Sequence, residues 1–356
     1  MSLIIIASEE QNESELSFCP SDASISDIFY MTKKQKNILV IGGGTGTSVL
    51  LAGLKRYPVT LSAIITTGDD GSSSGMLRKE FNMIPPGDIR QCLIALAHGN
   101  FSYLNDRFQK GSLHGHTLGN LLITLFYQKN NDFQQAIDQL LELVGAQGSL
   151  IPMTLRPATL IATLQNGKKL KGEHAITTSK EIYGNLKKLS LLPVLIQANP
   201  RAIKIINEAD VIVVGPGNLY SSVLPNLLVP EIKKALIASR AKKIYVANLF
   251  TQAGHTDNFS VRDFLAVLKQ YLGADIFDQV IYNTAVLAPS LVKEYAGAIG
   301  SPVRFSADMK KDKQFVGKSL VSSLVRRNSA DPIAKTRNPF LHDSRKLAAA
   351  VMGVIS

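Results

Sequence analysis

Short apolar runs alternate along much of the chain with segments whose apolar residues recur at helical spacing. Residues 38–41 are an uninterrupted apolar run, a cluster of glycines follows, and residues 49–54 then show a helical pattern. This order is typical of a buried strand, a tight turn and a helix. Its repetition predicts an α/β fold that is Rossmann-like, with a mostly parallel sheet, helices on both faces and a small β-rich insert.

The same rhythm predicts the remaining elements of the sheet domain. Further strands are predicted at residues 59–65, 210–214, 243–248 and 280–283. Further helices are predicted at residues 89–97, 121–127, 132–145, 200–209 and 261–272, the last of them capped by Ser260.

Between residues 150 and 190 the pattern changes to short segments. Residues 153–157, 159–164 and 172–178 are predicted as strands, with a turn at 165–168, and residues 183–190 as a helix. We expect a single domain over residues 36–350. Its antiparallel insert, at about residues 150–190, is expected to cap the functional site.

The charge of the chain is unevenly distributed. Residues 1–30 contain six acidic residues and no Lys or Arg, although the formal net charge of the whole chain is +11. The acidic start, residues 1–35, is therefore predicted to be a disordered tail, and the basic remainder favours anionic ligands. The basic residues are scattered and lack interleaved aromatic residues, so a solvated basic face is expected rather than a nucleic-acid interface.

The sequence shows neither a membrane span nor a signal peptide. No run approaches the ~20 apolar residues that a membrane span needs, and the apolar start at residues 3–7 has no basic flank of the kind that signal peptides carry. Cys19 and Cys92 match no metal or redox spacing, which is typical of the reducing cytosol. We expect a cytoplasmic protein without a membrane span, and leave assembly into a homo-oligomer open.

The first stretch with candidate chemistry is the glycine turn that follows the first predicted strand. Glycine lets backbone N–H groups approach a phosphate, and the following helix adds a partial positive charge. Thr47 replaces the third glycine of a dinucleotide fingerprint, and no lysine follows as in a Walker A loop. An ordinary turn is the alternative to phosphate binding by Gly42, Gly43, Gly44, Thr45, Gly46 and Thr47.

The second stretch, Thr66 to Gly75, follows the second predicted strand and contains no hydrophobic residue. Asp69 and Asp70 are adjacent carboxylates where a strand leaves the sheet, which is where parallel sheets bind ligands. They are candidates for accepting a ribose hydroxyl or for holding Mg²⁺. A polar turn is the alternative, because Gly, Asp and Ser are turn formers.

Two later stretches add candidate pocket residues at predicted helix starts. Asp88 is a candidate helix cap, whereas Arg90 in the first turn opposes the helix dipole and therefore suggests an anionic ligand or an acidic partner such as Asp69 or Asp70. His116 is predicted to have a structural role, since no complete set of metal-ligating residues lies near it in the sequence. Gly119 and Asn120 offer N–H groups and an amide at another helix start.

A second strand–glycine turn–helix unit lies at residues 210–222. Its turn offers N–H donors and two hydroxyls, and two such turns in one sheet suggest a diphosphate ligand or two ligands. The candidate residues here are Gly215, Pro216, Gly217, Asn218, Tyr220, Ser221 and Ser222, followed after the next strand by Asn248, Thr251 and Gln252.

These motifs, in this order, resemble those of the gluconeogenesis factor family, within the 2-phospho-L-lactate transferase (CofD-like) superfamily. The resemblance covers about residues 36–350. It implies a Rossmann-like fold and a cytoplasmic protein that binds a nucleotide, specifically a UDP-sugar, and that supports cell shape and wall synthesis during gluconeogenic growth. Two positions depart from the pattern: Leu341 stands where relatives tend to have Arg, and Ala253 where Pro is usual.

Two classes of function compete. In the first, the protein is a nucleotide-sugar binder and regulator without turnover, which is the reading favoured by the nearest branch of the resemblance. In the second, it is a Mg²⁺-dependent, phospholactyl-type transferase with Asp69 and Asp70 at the metal. Transfer of this kind needs mainly positioning and charge neutralisation, so both classes require the same phosphate site.

Overall fold

The computed structural model describes residues 35–286, 300–322 and 340–355. All of the predicted acidic tail except residue 35 lies outside the described residues. Within the described ranges the strands are β1 (Lys36–Gly42), β2 (Val59–Ile65), β3 (Ser149–Pro152), β4 (Thr159–Leu164), β5 (Lys169–Lys171), β6 (Leu186–Leu192), β7 (Val211–Val214), β8 (Lys242–Val246), β9 (Gln279–Asn283) and β10 (Phe315–Lys318).

The helices of the described ranges are α1 (Thr45–Leu54), α2 (Ser72–Phe81), α3 (Gly87–Leu96), α4 (Leu118–Asn130), α5 (Phe133–Leu143), α6 (Glu173–Thr178), α7 (Pro200–Glu208), α8 (Leu224–Leu227), α9 (Pro230–Ala238), α10 (Val261–Leu272) and α11 (Ser344–Ile355). Short 3-10 turns occur at Ser102–Asn105 and Ala307–Lys310, and one π turn at Leu219–Val223. None of these helices has the length and apolar character that crossing a membrane requires.

The main sheet has seven strands in the spatial order β10-β9-β8-β7-β1-β2-β3, and every neighbouring pair is parallel. The chain runs outward from β1 through β2 to β3, and later returns to the other side of β1 at β7. The topological switch point therefore lies between β1 and β7, where such sheets bind their ligands. The α/β prediction is confirmed, and the main sheet is parallel throughout.

Alternate side chains of the central strand, β1, pack into two hydrophobic cores, one on each face of the sheet. Ile38 and Val40 belong to the core that α1, α3, α5 and α11 cover, whereas Leu39 and Ile41 belong to the core under α7 to α10. This period of two is the geometry of a strand, and burial on both faces explains why the run at 38–41 contains no polar residue. Helices on both faces were predicted and are confirmed.

Residues 150–190 differ in detail from the prediction. Residues 172–178 are not a strand: Gly172 has a φ of +94°, and α6 follows it. Residues 183–190 are not a helix, because Leu186–Leu192 pairs with β4 and alternately buries Leu189 and Leu191. The short strand before the insert is Ser149–Pro152, which pairs with β2 in the main sheet. The small sheet itself is antiparallel, in the order β5-β4-β6.

Several observed boundaries of helices and strands differ from the predicted ones by a few residues, and N-terminal helix caps explain where some helices begin. Ser260 and Asp263 form a capping box that starts α10 where it was predicted. Asp132 caps α5 through Gln134 and Gln135. Helix α4 begins three residues earlier than predicted because Thr117 accepts the N–H of Asn120.

Close packing of α1 on α11 generates a stability prediction. A Cβ at Gly53 would overlap the carbonyl oxygen of Ser344 and lie 2.8 Å from Ala348 Cβ. We therefore expect Gly53→Ala to lower the free energy of unfolding by about 1–3 kcal/mol, as overpacking does in other cores, measured by urea denaturation. Gly353→Ala on α11 is the matched control, because its Cβ would meet nothing within 4 Å and should raise stability by up to about 1 kcal/mol. Equal effects of the two changes would contradict this packing argument.

Candidate functional site

The two predicted glycine turns meet at the switch point. The first follows β1 and the second follows β7, and a Cβ at Gly46 would overlap the carbonyl of Pro216 in the second turn. Gly215 has a φ of +78° and donates its N–H to Ile41 at 2.9 Å. Ser222 faces both turns: a Cβ at Gly43 would lie 2.8 Å from its side chain, and one at Gly217 would lie 3.2 Å away. The two turns therefore lie against each other at the switch point, and we call the space beside them, with the side chains that approach it, the cleft.

Asp88 lies against the first turn. A Cβ at Gly44 would overlap its carboxylate and lie 2.8 Å from Gln91 Nε2, while Thr45 donates its hydroxyl to Gln91 Oε1 at 2.8 Å. Asp88 was considered as a helix cap, but Pro86 holds that position and Asp88 stands within the first turn of α3. Its carboxylate accepts the N–H of Gly44 instead. One donor of the predicted phosphate turn is thus engaged by a carboxylate.

The second turn is organised by its own side chains. Asn218 Oδ1 accepts the N–H groups of Tyr220 and Ser221 at 3.1 and 3.2 Å, and its amide donates to Gln252 Oε1. The N–H of Gly217 reaches Asn248 Oδ1 at 3.5 Å. These donors, expected to face a ligand, are therefore engaged within the protein, and an anion would have to compete for them.

The adjacent carboxylates Asp69 and Asp70 diverge. Asp69 accepts the N–H of Gly71 at 3.0 Å, and its carboxylate is close enough to Gly87 that a Cβ there would overlap it. Asp70 instead accepts the N–H of His174 at 2.8 Å, in the insert. Asp69 therefore faces the cleft beside Asp88, whereas Asp70 attaches the insert to the loop after β2.

Glu173 is a site residue that the sequence analysis missed. It is the first residue of α6 and approaches Asp69, while its carboxylate accepts hydrogen bonds from Ser221 and Thr177. Nothing in the local pattern marked it, because residues 172–178 were predicted as a strand. Gly172, which precedes it, has a positive φ, and a Cβ at that position would overlap the carboxylate of Asp70.

Burial and mutual repulsion change the pKa values of these three carboxylates. Desolvation and the charge of Asp69 raise the pKa of Glu173 to about 7. Desolvation and the neighbouring carboxylates also raise the pKa of Asp88 well above its usual range, and desolvation raises that of Asp69. The positive charge of Arg90 opposes both of the latter shifts.

Arg90 is buried and bound by neutral oxygens. Its Nε donates to Asn105 Oδ1 at 3.1 Å, and its Nη1 donates to Thr117 Oγ1 at 2.7 Å and to Asn120 Oδ1 at 2.5 Å. A Cβ at Gly119 would lie 2.8 Å from Arg90 Cγ and Cδ, so this glycine makes room for the arginine. The guanidinium charge acts on Asp69 and Asp88, and an acidic partner bound directly to Arg90 stays a prediction.

His116 joins the same network. Its Nδ1 lies 3.0 Å from Ser73 Oγ, which also accepts Asn120 Nδ2 at 2.9 Å. The Ser73 hydroxyl therefore links the His116 ring to the amide of Asn120, one of the groups that bind Arg90. Both residues are buried, so the pair positions the Arg90 network.

Other candidate residues serve the framework of the cleft. Thr251 exchanges hydrogen bonds with Ser301, at 2.7 Å from its N–H and at 2.9 Å to its Oγ1. Gln252 Nε2 donates to the carbonyl of Thr177 at 3.1 Å and so connects the second turn to the insert. Burial raises the pKa of Tyr220 to about 12, which keeps its phenol neutral. Within the described ranges, the buried hydroxyls of Thr47, Thr66 and Thr67 have no hydrogen-bond partner.

A dedicated metal cage is not built here. The part of the chain that the structure describes contains no group of three or more His, Cys, Asp or Glu side chains placed to hold a metal ion. Mg²⁺ is commonly held by one or two carboxylates together with ligand phosphates and water. Asp69, with Asp88 or Glu173 nearby, fits that shared arrangement, whereas Asp70 is directed to the insert.

Comparisons with known proteins agree with this architecture. Residues 38–321 match the family model of the 2-phospho-L-lactate transferase CofD. The chain is 35% identical to the gluconeogenesis factor of Bacillus subtilis, over 91% of this chain and 99% of that protein. It is 38% identical to the gluconeogenesis factor of Halalkalibacterium halodurans, over 76% and 84%. A crystal structure of a UPF0052 family member from Bacillus halodurans superposes with a TM-score of 0.79, at 34% identity, over 90% of this chain and 99% of that one.

Glu173 generates a prediction for stability against pH. Its pKa is about 7 in the folded protein against an ordinary 4.5, so between these values the folded state binds more protons than the unfolded state. The contribution of Glu173 to stability is therefore lost as pH rises from 4.5 to 7. The free energy of unfolding of Glu173→Gln minus that of the unaltered protein should therefore be larger at pH 8 than at pH 5, as measured by urea denaturation.

The control for this prediction is Glu181→Gln. Glu181 lies on the surface of the same insert, paired with Lys168 at 2.7 Å. Its replacement should leave the difference between pH 5 and pH 8 as it is in the unaltered protein. If Glu173→Gln also left that difference unchanged, Glu173 would not lie in the carboxylate cluster as described.

Proposed function

The chain belongs to the family of the 2-phospho-L-lactate transferase CofD, and we propose that within it the protein is a gluconeogenesis factor that binds a nucleotide sugar, a UDP-sugar, without turning it over. Its role would be to support cell shape and wall synthesis when carbon comes from gluconeogenic sources, and its place of action the cytoplasm. The observation that carries this proposal is the meeting of two glycine turns at one switch point.

The chemistry of the cleft suits a ligand with phosphates at one end and hydroxyls at the other. Backbone N–H groups at the start of α1 and the partial charge of that helix favour a phosphate. The carboxylates of Asp69 and Glu173 accept hydrogen bonds, which sugar and ribose hydroxyls donate. A nucleotide sugar provides both kinds of group in one molecule. The names of the curated relatives, gluconeogenesis factors, support a regulatory role for this binding.

A second candidate function is a Mg²⁺-dependent transferase of the phospholactyl type. Asp69, Asp88 and Glu173 converge beside the glycine turns, where a phosphate would otherwise be repelled. When bound there, Mg²⁺ would neutralise phosphate charge and orient the transferred group. Asp69 and a neighbouring carboxylate would hold it, and Arg90 would limit the negative charge of the site.

Ligand binding is tested by a substitution between the two turns. Ser222 is half-buried and faces both, so Ser222→Leu should fill the phosphate space and weaken nucleotide-sugar binding at least tenfold. The measurement is calorimetric titration with a panel of UDP-sugars, UDP and other nucleotides, after native mass spectrometry has identified which of them bind. Ser102→Leu, the same change at an exposed position, is the control. Binding that is equal in both variants would place the ligand elsewhere.

The two candidate functions are separated by a metal-dependence test on Asp69. If Mg²⁺ joins ligand and protein at Asp69, Asp69→Asn should weaken binding about tenfold or more with Mg²⁺, and much less with EDTA. Turnover of the bound nucleotide, followed by chromatography, would favour the transferase. If Asp69→Asn has the same affinity with and without metal, the carboxylates serve hydroxyl recognition and the metal-dependent alternative fails.

A further inference from the structure

The small sheet of the insert has a second face whose members follow from its register; its lysines and Leu192 are exposed, whereas Ile161 within it is 8% exposed. Leu160, Ala162, Leu164, Leu189 and Leu191 all belong to the core on the inner side. Residues directly opposite across neighbouring strands share a face, so the other side carries Lys169, Thr163 and Lys188 in one row, Lys171, Ile161 and Ser190 in the next, and Thr159 with Leu192 in the last. We call these eight residues the outer face of the insert.

The outer face is positively charged. Lys169, Lys171 and Lys188 are exposed, and none of the eight residues is acidic. The two acidic residues of the insert are directed elsewhere, since Glu173 reaches the cleft and Glu181 pairs with Lys168. Arg78 of α2 donates to Thr159 Oγ1 at 2.8 Å, which marks the corner where the outer face meets the rest of the domain.

An apolar tip continues the last row of this face. Leu192 is 52% exposed, Val194 74% and Leu195 89%, and these residues follow one another around Pro193. Leu155, 41% exposed, precedes β4, the strand whose first residue pairs with Leu192. Lys188 lies four residues upstream of Leu192, which in a strand is about 13 Å. Exposed aliphatic side chains grouped in this way mark an interaction site.

We propose that the outer face and the tip at residues 192–195 dock together on an anionic membrane surface. The lysines would lie over the lipid headgroups, and Val194 and Leu195 would enter the boundary between headgroups and acyl chains. Basic residues attract anionic leaflets, and apolar side chains beside them make the attachment stable, which is the usual combination in proteins that bind the surface of a bilayer.

The same features disfavour a nucleic acid as the occupant. Proteins that bind single strands stack bases on aromatic side chains, and the outer face has none. Tyr183, the exposed aromatic residue of the insert, packs edge-on against Phe259 with ring centroids 6.2 Å apart. Exposed aliphatic residues at the tip would also gain nothing from a phosphate backbone, whereas they do gain from an acyl boundary.

Docking of this kind is independent of the proposed ligand. The inner side of the insert is attached to the cleft by Asp70 with His174, by Gln252 with Thr177, and by the N–H of Tyr183, which donates to Gly254 at 2.7 Å. Lys169, Lys171, Lys188, Val194 and Leu195 make none of these contacts, although Arg78, which binds Thr159 at the edge of the outer face, interacts electrostatically with Asp69 and Asp70. Substitutions of the five residues are therefore expected to leave the fold intact, and far-UV circular dichroism of the variants checks this.

The test is sedimentation of the full-length protein with vesicles of phosphatidylcholine alone or with 30% phosphatidylglycerol (roughly the anionic content of a charged leaflet). We expect binding to the anionic vesicles only. Each lysine near the surface contributes about fivefold, so Lys169→Gln, Lys171→Gln and Lys188→Gln combined should weaken binding by up to about a hundredfold. Val194→Ser with Leu195→Ser should weaken it about tenfold.

The control is a triple variant with the same change of charge elsewhere: Lys129→Gln, Lys234→Gln and Lys310→Gln, all exposed and off the insert. It should bind vesicles nearly as well as the unaltered protein. The proposal is overturned if anionic vesicles bind no better than neutral ones, or if the control loses as much binding as the insert variant. It is also overturned if the serine variant binds vesicles normally, or if the insert lysines matter for a single-stranded oligonucleotide but not for vesicles.

Discussion

The close approach of two backbone turns at the centre of the sheet is the constraint on which the site depends. The carbonyl of Pro216 occupies the space that a side chain at position 46 would need. That approach lets β1 and β7 lie side by side, with the N–H of Gly215 donated to Ile41 at 2.9 Å. The glycines are therefore required for packing between turns as well as for access by a ligand. The proposed ligand site lies beside this packing, at the switch point.

Charge limits which ligands the proposed site would accept. A site for phosphate would be expected to present free N–H donors and positive charge, yet Gly44 donates to Asp88, and Asp69 and Glu173 stand nearby. An isolated anion would meet three carboxylates and one buried arginine, Arg90. A ligand that also presents hydroxyls, or that arrives with a cation, resolves this conflict. The pKa values of the carboxylates are raised mainly because burial disfavours their charged forms, and their mutual repulsion adds to this effect.

The insert connects the cleft to the outside of the molecule. Its inner side contributes Glu173 and is attached through Asp70 and Gln252, while its outer face presents Lys169, Lys188 and an apolar tip. One small antiparallel sheet thus lies between two different chemical environments.

The sequence by itself determined the α/β class, most strands of the main sheet, most of the helices that pack on it, and both glycine turns. These features could be predicted because periodicity and glycine spacing are local properties. Tertiary structure decided that Asp69 and Asp70 diverge, and that Glu173 joins the site from a segment predicted as a strand. Asp70 and its partner His174 are 104 residues apart in the chain. Such a contact depends on how strands order and pair across the whole fold, and a local pattern carries no record of that order.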